Sequence, residues 1–272
     1  MPHLVVIGGG HAGIEAAHIA ARMGVSTTLL TISLDQIGQM SCNPSIGGVG
    51  KGHMVRELDA LGGAMGRLID ATGIHFRILN GSRGLAVRGP RAQADKVKYR
   101  RAARALLEGT ANLSLREGTA ARLLWHEGTR GLRGVALVDG SEIPCDAVVL
   151  TAGTFLNGCI LLGEARTPAG RAGEPPSTEL AEQLRSLGLR HRRLKTGTSP
   201  RIARASIDFS RLEPQPGDDP PRPFSFFPDR IPQPQVPCHI VHTTKATEDI
   251  VRENLPKSAL YGGHIEGVGP RY

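Results

Sequence analysis

The residues of this sequence that could do chemistry are concentrated in one stretch, residues 41–53, which reads SCNPSIGGVGKGH. It joins a thiol, Cys42, to a glycine-rich turn that ends in a cation, Lys51. Such a stretch could be a phosphate cradle, a redox or nucleophilic site, or a flexible turn. A nucleoside triphosphate loop needs the pattern G-x-x-x-x-G-K-[ST] directly after a strand. Ser45 stands where the first glycine belongs and Gly52 where the hydroxyl belongs, so the triphosphate interpretation is rejected.

Cys42 is the candidate nucleophile of this stretch. A thiolate could act as a nucleophile or move a proton, and nearby amides and a cation such as Lys51 would favour the thiolate form. The alternative is a small buried residue that only packs, but the polar, glycine-rich neighbourhood argues against a plain core position. The other cysteines, Cys145, Cys159 and Cys238, lie in apolar or strand-like surroundings and are expected to be structural.

The second pattern that carries chemistry is Gly8-x-Gly10-x-x-Gly13, within VVIGGGHAGIEAA. It follows a predicted strand and opens a predicted helix, where such glycines permit a tight turn and the close approach of a pyrophosphate. The helix N-terminus would offer its free backbone amides and the positive end of its dipole to the phosphates. This context favours dinucleotide binding over a glycine turn without a ligand. The acid that usually holds the ribose about twenty residues further on is missing, because Thr31 stands there and Asp35 lies too far along.

The elements that must position these residues follow from the hydrophobic patterns. The prediction is a strand over residues 3–7, a helix over 11–23, a strand over 26–31, a loop over 33–52, a helix over 53–70, a strand over 75–79, a helix over 91–107, a strand meander from 113 onward, a strand over 148–150 and a helix over 178–187. The meander and the apolar strand that runs into Thr-Ala-Gly look like the flavoprotein arrangement of the glutathione-reductase type. They favour a flavin over a nicotinamide at the first glycine turn.

The predicted fold class is therefore α/β, a Rossmann-like FAD-binding domain with a parallel sheet plus a strand meander, followed by a partial, irregular second domain. Proline clusters after residue 170 argue against long regular elements there. We expect residues 1–155 to form the first portion of the FAD-binding domain. Residues 156–272 are expected to form a second, incomplete and irregular domain.

Composition limits the partners. The 272 residues include 33 Lys and Arg against 25 Asp and Glu, for a net charge of +8. This basic balance favours an RNA partner only slightly, because arginines are scattered along the chain. The four cysteines show no metal-ligand spacing, so neither a metal site nor a disulfide framework is indicated. No signal-peptide core or membrane-spanning stretch is found, so a cytoplasmic protein without a membrane partner is expected.

Motifs along the whole chain resemble one family. They are IGGGHAG, IGQMSCNPSIGGVGKGH, ELDALGG, FRILN, RAQADK, LTAGTFLNG, GRAGEPPS, RLKTGTSPRI and IEGVGPRY. Together they look like the FAD-binding subunit of the tRNA uridine 5-carboxymethylaminomethyl modification enzymes, the MnmG or GidA family. The folate-dependent tRNA uracil-5-methyltransferases share the opening fold, but they typically carry an acid after the second strand and lack the Cys-Asn-Pro loop.

The resemblance implies that residues 156–272 are an incomplete insert on the substrate and NAD side, and it also implies site residues. The family's pyrophosphate loop matches Gly8, Gly9, Gly10, His11, Ala12 and Gly13. Further positions that contact FAD match Ala120 and Ser177, and the start of the family's proposed NAD segment matches Gly269, Pro270, Arg271 and Tyr272. Cys42 matches one of two cysteines that the family needs for activity. His11 is expected to start the helix near the cofactor, and for Lys51 a phosphate or flavin contact and a solvated side chain both remain open.

The resemblance also implies partners. The family works with the GTPase subunit MnmE, forms homodimers, and modifies the wobble uridine of certain tRNAs. Methylenetetrahydrofolate supplies the one-carbon unit and NADH reduces the flavin. Arg83, Arg88 and Arg91, and the run RHRRLKTGTSPRIAR, could meet tRNA phosphates, although a solvated face is the commoner outcome for such residues.

Family members continue beyond the position of Tyr272, where the second essential cysteine follows, so this chain resembles less than half of a full-length member. Two alternatives to a modification enzyme therefore stay open. One is a non-catalytic FAD- or RNA-binding module. The other is an unrelated FAD oxidoreductase, for which no acid/base pair is identified in the second half of the chain.

Overall fold

A parallel sheet forms the centre of the computed structural model, which describes residues 2–129, 131–227, 231–259, 261–263 and 265. The strands are β1 His3–Ile7, β2 Ser26–Thr31, β3 Ser45–Gly47, β4 Gly73–Leu79, β5 Gly89–Ala94, β6 Leu113–Glu117, β7 Ala120–Trp125, β8 Leu132–Leu137, β9 Glu142–Pro144, β10 Ala147–Leu150, β11 Cys159–Leu162, β12 Ala165–Pro168, β13 Glu213–Gln215 and β14 Cys238–Ile240. The helices are α1 His11–Arg22, α2 Lys51–Ala60, α3 Met65–Thr72, α4 Lys96–Glu108, α5 Thr178–Ser186 and α6 Lys245–Asn254.

The central sheet has the order β10-β1-β2-β6, and all of its pairings are parallel. Its middle strand β1 carries Val5 and Val6, which are fully buried, as expected for a strand covered on both faces. The predicted β1-α1-β2 unit is confirmed, and α1 ends at Arg22, one residue before its predicted end. The α/β class with a parallel sheet is thereby confirmed. The described part of the chain contains no helix both apolar and long enough to span a bilayer.

A second, antiparallel sheet of order β3-β5-β4 follows the central unit. One of its faces buries Ile46, Phe76 and Ala92 in the larger of the two hydrophobic cores. The predicted helix over residues 53–70 is wrong in this region, because the structure has two helices, α2 and α3. The chain turns between these helices at Gly62, whose φ of 88° belongs to the left-handed region that glycine tolerates.

The predicted helix over residues 91–107 is also wrong in its first part. Residues 89–94 form β5, which pairs with both β3 and β4. Ala92 and Ala94 alternate with the more exposed Arg91 and Gln93, which is the two-residue period of a strand. Helix α4 begins only after Asp95, whose carboxylate caps it by accepting hydrogen bonds from the amides of residues 97 and 98, at 3.0 and 3.1 Å.

The predicted meander begins later than expected. β6, the first strand of that stretch, pairs with β2 and belongs to the parallel sheet, and the antiparallel meander consists of β7, β8 and β9. A second core forms here, in which Val135 and Leu137 pack with Leu180 of α5. Gln183 joins α5 to β7 through two hydrogen bonds. Its Oε1 accepts from the amide of Leu123 at 2.7 Å, and its Nε2 donates to the carbonyl oxygen of Leu123 at 2.8 Å.

Beyond residue 155 the described chain is largely irregular, with two small antiparallel pairs, β11-β12 and β13-β14. One segment of it enters the larger core through Phe224, which is fully buried. Two buried carboxylates hold this segment: Asp70 accepts from the amides of Phe224 and Ser225, at 2.7 and 2.8 Å, and Asp59 accepts from the amide of Phe226 at 2.7 Å. The division into two domains near residue 155 stays a prediction.

Candidate functional site

The glycine turn between β1 and α1 has the geometry of a phosphate-binding turn. Gly8 has a φ of 115°, and a Cβ there would lie 2.6 Å from the carbonyl oxygen of Thr151. A Cβ on Gly13 would lie 1.8 Å from the carbonyl oxygen of Gly8, so both glycines are required for close packing. A Cβ on Gly10 would meet nothing within 4 Å. Gly10 therefore faces open space at the start of α1, where the first helix amides have no intrahelical partner.

Thr31 occupies the expected place of the ribose-binding acid, at the end of β2. It is buried, and its Oγ1 would lie 2.8 Å from a Cβ on Gly9. Asp35 forms an ion pair with Arg104 of α4 at 2.7 Å. Residues 32–34, directly after β2, contain no Asp or Glu, but the carboxylate of Glu117, the last residue of β6, accepts a hydrogen bond from the amide of Leu34 at 3.0 Å.

His11 starts α1, as predicted, and its ring is held by Tyr99 of α4. The Tyr99 hydroxyl lies 3.3 Å from His11 Nδ1, and the two rings meet edge to face at 5.5 Å. Burial, and then the nearby charge of Lys51, lowers the pKa of His11 to about 4. The imidazole is therefore neutral at pH 7. It suits packing and hydrogen bonding at the helix start better than proton transfer at neutral pH.

Lys51 is the first residue of α2, directly after Gly50, whose amide donates to Nδ1 of His53 at 3.2 Å. Its side chain is half-buried, and burial lowers its pKa. It forms no hydrogen bond or ion pair with any described residue. Its positive charge nevertheless contributes to the lowered pKa of His11 at the glycine turn. A partly buried ammonium without a counter-ion beside this turn favours an anionic ligand over the solvated alternative.

Cys42 lies in the loop before β3 and is held by a distant segment. Its Sγ donates to the carbonyl oxygen of Gly197 at 3.1 Å. The guanidinium of Arg201 donates to the carbonyl oxygens of Ser41 and Cys42, at 2.9 and 2.6 Å. No hydrogen bond joins the sulfur to Lys51 within the described residues, so the influence of Lys51 on the thiol stays a prediction. The half-buried thiol instead has a neutral carbonyl partner.

A cavity of about 440 Å³ opens beside the Cys42 loop. Its lining includes three cationic side chains, those of Lys96, Arg171 and Arg201, and one carboxylate, that of Glu174. Glu174 is already engaged, because it forms an ion pair with Arg171. The cavity therefore suits an anionic group. The sequence analysis named Arg201 only as part of the run RHRRLKTGTSPRIAR and did not name Lys96, Arg171 or Glu174 as site residues, although Arg171 and Glu174 lie in the motif GRAGEPPS.

Ala120 and Ser177 lie near the carboxyl ends of sheet strands, the edge at which open α/β sheets bind ligands. Ala120 begins β7 just after Gly118, whose amide donates to the carbonyl of Thr31 at 2.8 Å. Ser177 donates its amide to the carbonyl of Phe155, after β10, at 2.8 Å. The structure thus brings both toward the end of the sheet that carries the glycine turn. The predicted NAD residues Gly269, Pro270, Arg271 and Tyr272 lie outside the described residues.

The other three cysteines are free thiols with different exposures. Cys145 is buried, and burial raises its pKa. Cys238 is half-buried at the start of β14. Cys159 lies in a strand, as expected, but it is exposed, so burial in a core does not explain a cysteine at this position. Among the described residues no three His, Cys, Asp or Glu side chains form a group that could hold a metal ion.

Comparisons with known proteins agree with the motifs. Residues 3–272 match the family model described as glucose inhibited division protein A. The tRNA uridine 5-carboxymethylaminomethyl modification enzyme MnmG of Geobacter sulfurreducens is 54% identical over 269 residues, which are 99% of this chain and 43% of the relative. MnmG of Granulibacter bethesdensis is 53% identical over 270 residues, with the same coverage of 99% and 43%.

A solved structure supports the fold. Aquifex aeolicus GidA, in its form I crystal, superposes with a TM-score of 0.90 at 48% identity, and the match covers 100% of this chain and 46% of that one. The chain therefore spans less than half the length of the relatives it matches. Family model, sequence identity and superposition all extend over nearly the whole chain, and they confirm the resemblance drawn from the motifs. The chain belongs to the glucose inhibited division protein A (GidA) family.

Proposed function

We propose that this chain is the FAD-binding portion of a flavoenzyme that modifies the wobble uridine of tRNA. The observation that carries the proposal is the glycine turn before α1, in a chain 54% identical to an enzyme named for tRNA uridine modification. Gly8 and Gly13 are required for packing, whereas the space in front of Gly10 is open. Together these features support a dinucleotide ligand whose diphosphate meets the start of α1.

The residues present fit FAD. Amides at the start of α1, from His11, Ala12 and Gly13, would meet the diphosphate, and Lys51 would add a positive charge beside them. Ala120 would contact the adenine and Ser177 the flavin. When bound, the flavin would carry electrons between NADH and the one-carbon unit of methylenetetrahydrofolate, which is chemistry that protein side chains do not supply. Gly269, Pro270, Arg271 and Tyr272 would begin the NADH-binding segment.

Cys42 is the proposed catalytic residue. Its thiol is half-buried in a loop that Arg201 fixes through two carbonyl oxygens, so the sulfur has a defined position. The carbonyl of Gly197 accepts from the thiol and would repel a thiolate. Deprotonation would therefore favour a rotation of the Cys42 side chain away from Gly197, which would release the sulfur as a nucleophile while Arg201 keeps the loop backbone in place.

The remaining parts of the proposal concern the complete enzyme. The GTPase MnmE would be its partner, a homodimer its assembly, and the cytoplasm its location. The proposed division is a first portion of the FAD-binding domain over residues 1–155 and an incomplete second domain over 156–272. A non-catalytic FAD- or RNA-binding module is the second candidate, because the open space in front of Gly10 would suit a bound diphosphate whether or not the protein catalyses a reaction.

Two measurements test the proposal. Purified chain should quench FAD fluorescence in a saturable titration, and it should keep the yellow flavin through gel filtration. Modification of tRNA uridine is then followed by mass spectrometry of nucleosides, with MnmE, NADH and methylenetetrahydrofolate present. Bound flavin together with modified uridine supports the enzyme, and bound flavin without modification supports the module. Folded chain that does not bind FAD would contradict the enzyme, and folded chain that binds neither FAD nor tRNA would contradict both.

A further inference from the structure

Two arginines face each other on the outer side of the β3-β5-β4 sheet. The strand register places Arg77 of β4 directly opposite Arg91 of β5, and Arg91 in turn opposite Gly47 of β3. Directly opposite residues in an antiparallel pair project from the same face. The adjacent residues Phe76 and Ala92 are buried in the core, so the two arginines project from the other face, where both are half-buried.

Neither arginine of this pair forms an ion pair within the described residues. No Asp or Glu occurs in residues 71–94, and neither guanidinium has a hydrogen-bond or ion-pair partner among the described residues. The carboxylate of Asp218 reaches β4, but it accepts from the amide of Ile78 at 2.9 Å. Like charges directly opposite each other destabilise a sheet. The pair therefore costs stability unless an anion lies between the two guanidinium groups.

Further arginines lie at one end of this outer face of the sheet, and its other end reaches the Cys42 loop. At one end, the exposed loop between β4 and β5 carries Arg83 and Arg88, and it is ordered by a hydrogen bond of 2.9 Å from Arg88 Nε to the carbonyl of Arg83. At the other end, the amide of Ala94 donates to the carbonyl of Pro44 at 2.6 Å. Pro44 is two residues from Cys42, so the face leads from an exposed arginine loop to the candidate nucleophile.

We propose that Arg77 and Arg91 clamp one backbone phosphate of the RNA substrate, and that Arg83 and Arg88 hold the backbone beside it. Paired guanidinium groups suit a phosphate because each can donate two hydrogen bonds to its oxygens. The open, arginine-bearing end of the face fits a polymer that continues past the clamp. This inference rests on the proposed function, since it names where the RNA of that function binds.

The test is the affinity of the 272-residue chain for a fluorescein-labelled anticodon stem-loop RNA with an unmodified wobble uridine. The variants are Arg77→Gln and Arg91→Gln. The control is Arg122→Gln, which removes the same charge from an exposed position on β7. We expect each clamp variant to bind about tenfold more weakly, the loss expected for a charge-assisted hydrogen bond. The slope of log affinity against log salt should become shallower by about 0.7 to 0.9.

Two further measurements test whether Arg77 and Arg91 bind RNA, only stabilise the fold, or contact the phosphates of FAD. The Tm of each clamp variant should equal or exceed that of the unsubstituted chain, because a like-charge pair is removed. The Kd for FAD should not change. RNA binding equal to that of the unsubstituted chain, or a loss that follows a lower Tm, would overturn the clamp. A weaker affinity for FAD would assign the arginines to the flavin phosphates instead.

The result also distinguishes this inference from the proposed function. If the unsubstituted chain binds the RNA and the clamp variants bind equally well, only the clamp fails. If the folded chain binds FAD but no RNA at low salt, the RNA substrate of the proposed function fails together with the clamp.

Discussion

Substitution of Gly10 by alanine isolates the proposed diphosphate contact from the stability of the fold. Gly10 has a φ of −79°, which alanine adopts freely, and a Cβ at this position would meet nothing within 4 Å. The added methyl group projects into the space at the start of α1 that the diphosphate would occupy. The chain should therefore fold normally and bind FAD poorly.

The expected magnitudes follow from this geometry. Alanine is a poorer N-cap than glycine, which costs less than about 1 kcal/mol in the free energy of unfolding. A diphosphate pushed away from the helix start loses one charge-assisted hydrogen bond, worth about 1.5 to 3 kcal/mol. Because 1.4 kcal/mol is a factor of about ten, the Kd for FAD should rise about ten- to a hundredfold. Gly13→Ala contrasts with this, since its Cβ would lie 1.8 Å from the Gly8 carbonyl and should prevent normal folding.

The assay is a fluorescence titration with FAD at constant salt, combined with thermal unfolding of the same samples. Gly81→Ala is a matched control, because its Cβ also meets nothing within 4 Å but lies in the exposed loop between β4 and β5. This control should bind FAD like the unsubstituted chain. If Gly10→Ala keeps its Tm and binds FAD within twofold of the unsubstituted chain, the turn is not the diphosphate site.

Three other outcomes are expected. Burial raises the pKa of Asp70 from 3.8 to about 6. Because the folded state binds this proton more tightly than the unfolded state, the free energy of unfolding should fall by about 2 kcal/mol as the pH rises from about 4 to 6. Urea unfolding at several pH values should show that Asp70→Asn removes this part of the pH dependence. Cys42→Ser should abolish uridine modification in a complete enzyme of the family, measured by nucleoside mass spectrometry, while the Kd for FAD stays the same; retained turnover would remove Cys42 from the mechanism. Arg201→Ala removes both hydrogen bonds to the Cys42 loop, so iodoacetamide should alkylate Cys42 faster, as peptide mapping would show, whereas an unchanged rate would mean that Arg201 does not hold the loop.

The local elements were predictable where the pattern was strong. The glycine turn, α1 and β2 follow from a short apolar strand, three spaced glycines and a helix of small residues, and the structure places them as expected. The helix predicted over residues 91–107 was wrong at its start because its apolar residues fit either period over a short stretch. Pairing with β3 and β4 selects the strand there, and only the cap at Asp95 marks the true helix start.

The contacts of the candidate site were less predictable, because they join residues far apart in the sequence. Cys42 was identified from its glycine-rich neighbourhood and the family motif. Its partners Gly197 and Arg201 lie about 155 residues further along, in a segment without regular structure. The Arg77–Arg91 pair likewise depends on strand register, since neither residue's position in the sequence indicates that the other lies opposite it.

The carboxylates that hold the segment around Phe224 have a practical consequence. A polypeptide that ends at residue 155 would leave Asp59 and Asp70 without the amides that they now accept from, in the space vacated by an aromatic ring. Unpaired buried charge and an empty cavity are each strongly destabilising. Residues 1–155 and 156–272 should therefore unfold in one cooperative transition, and a polypeptide of residues 1–155 should aggregate when it is expressed by itself.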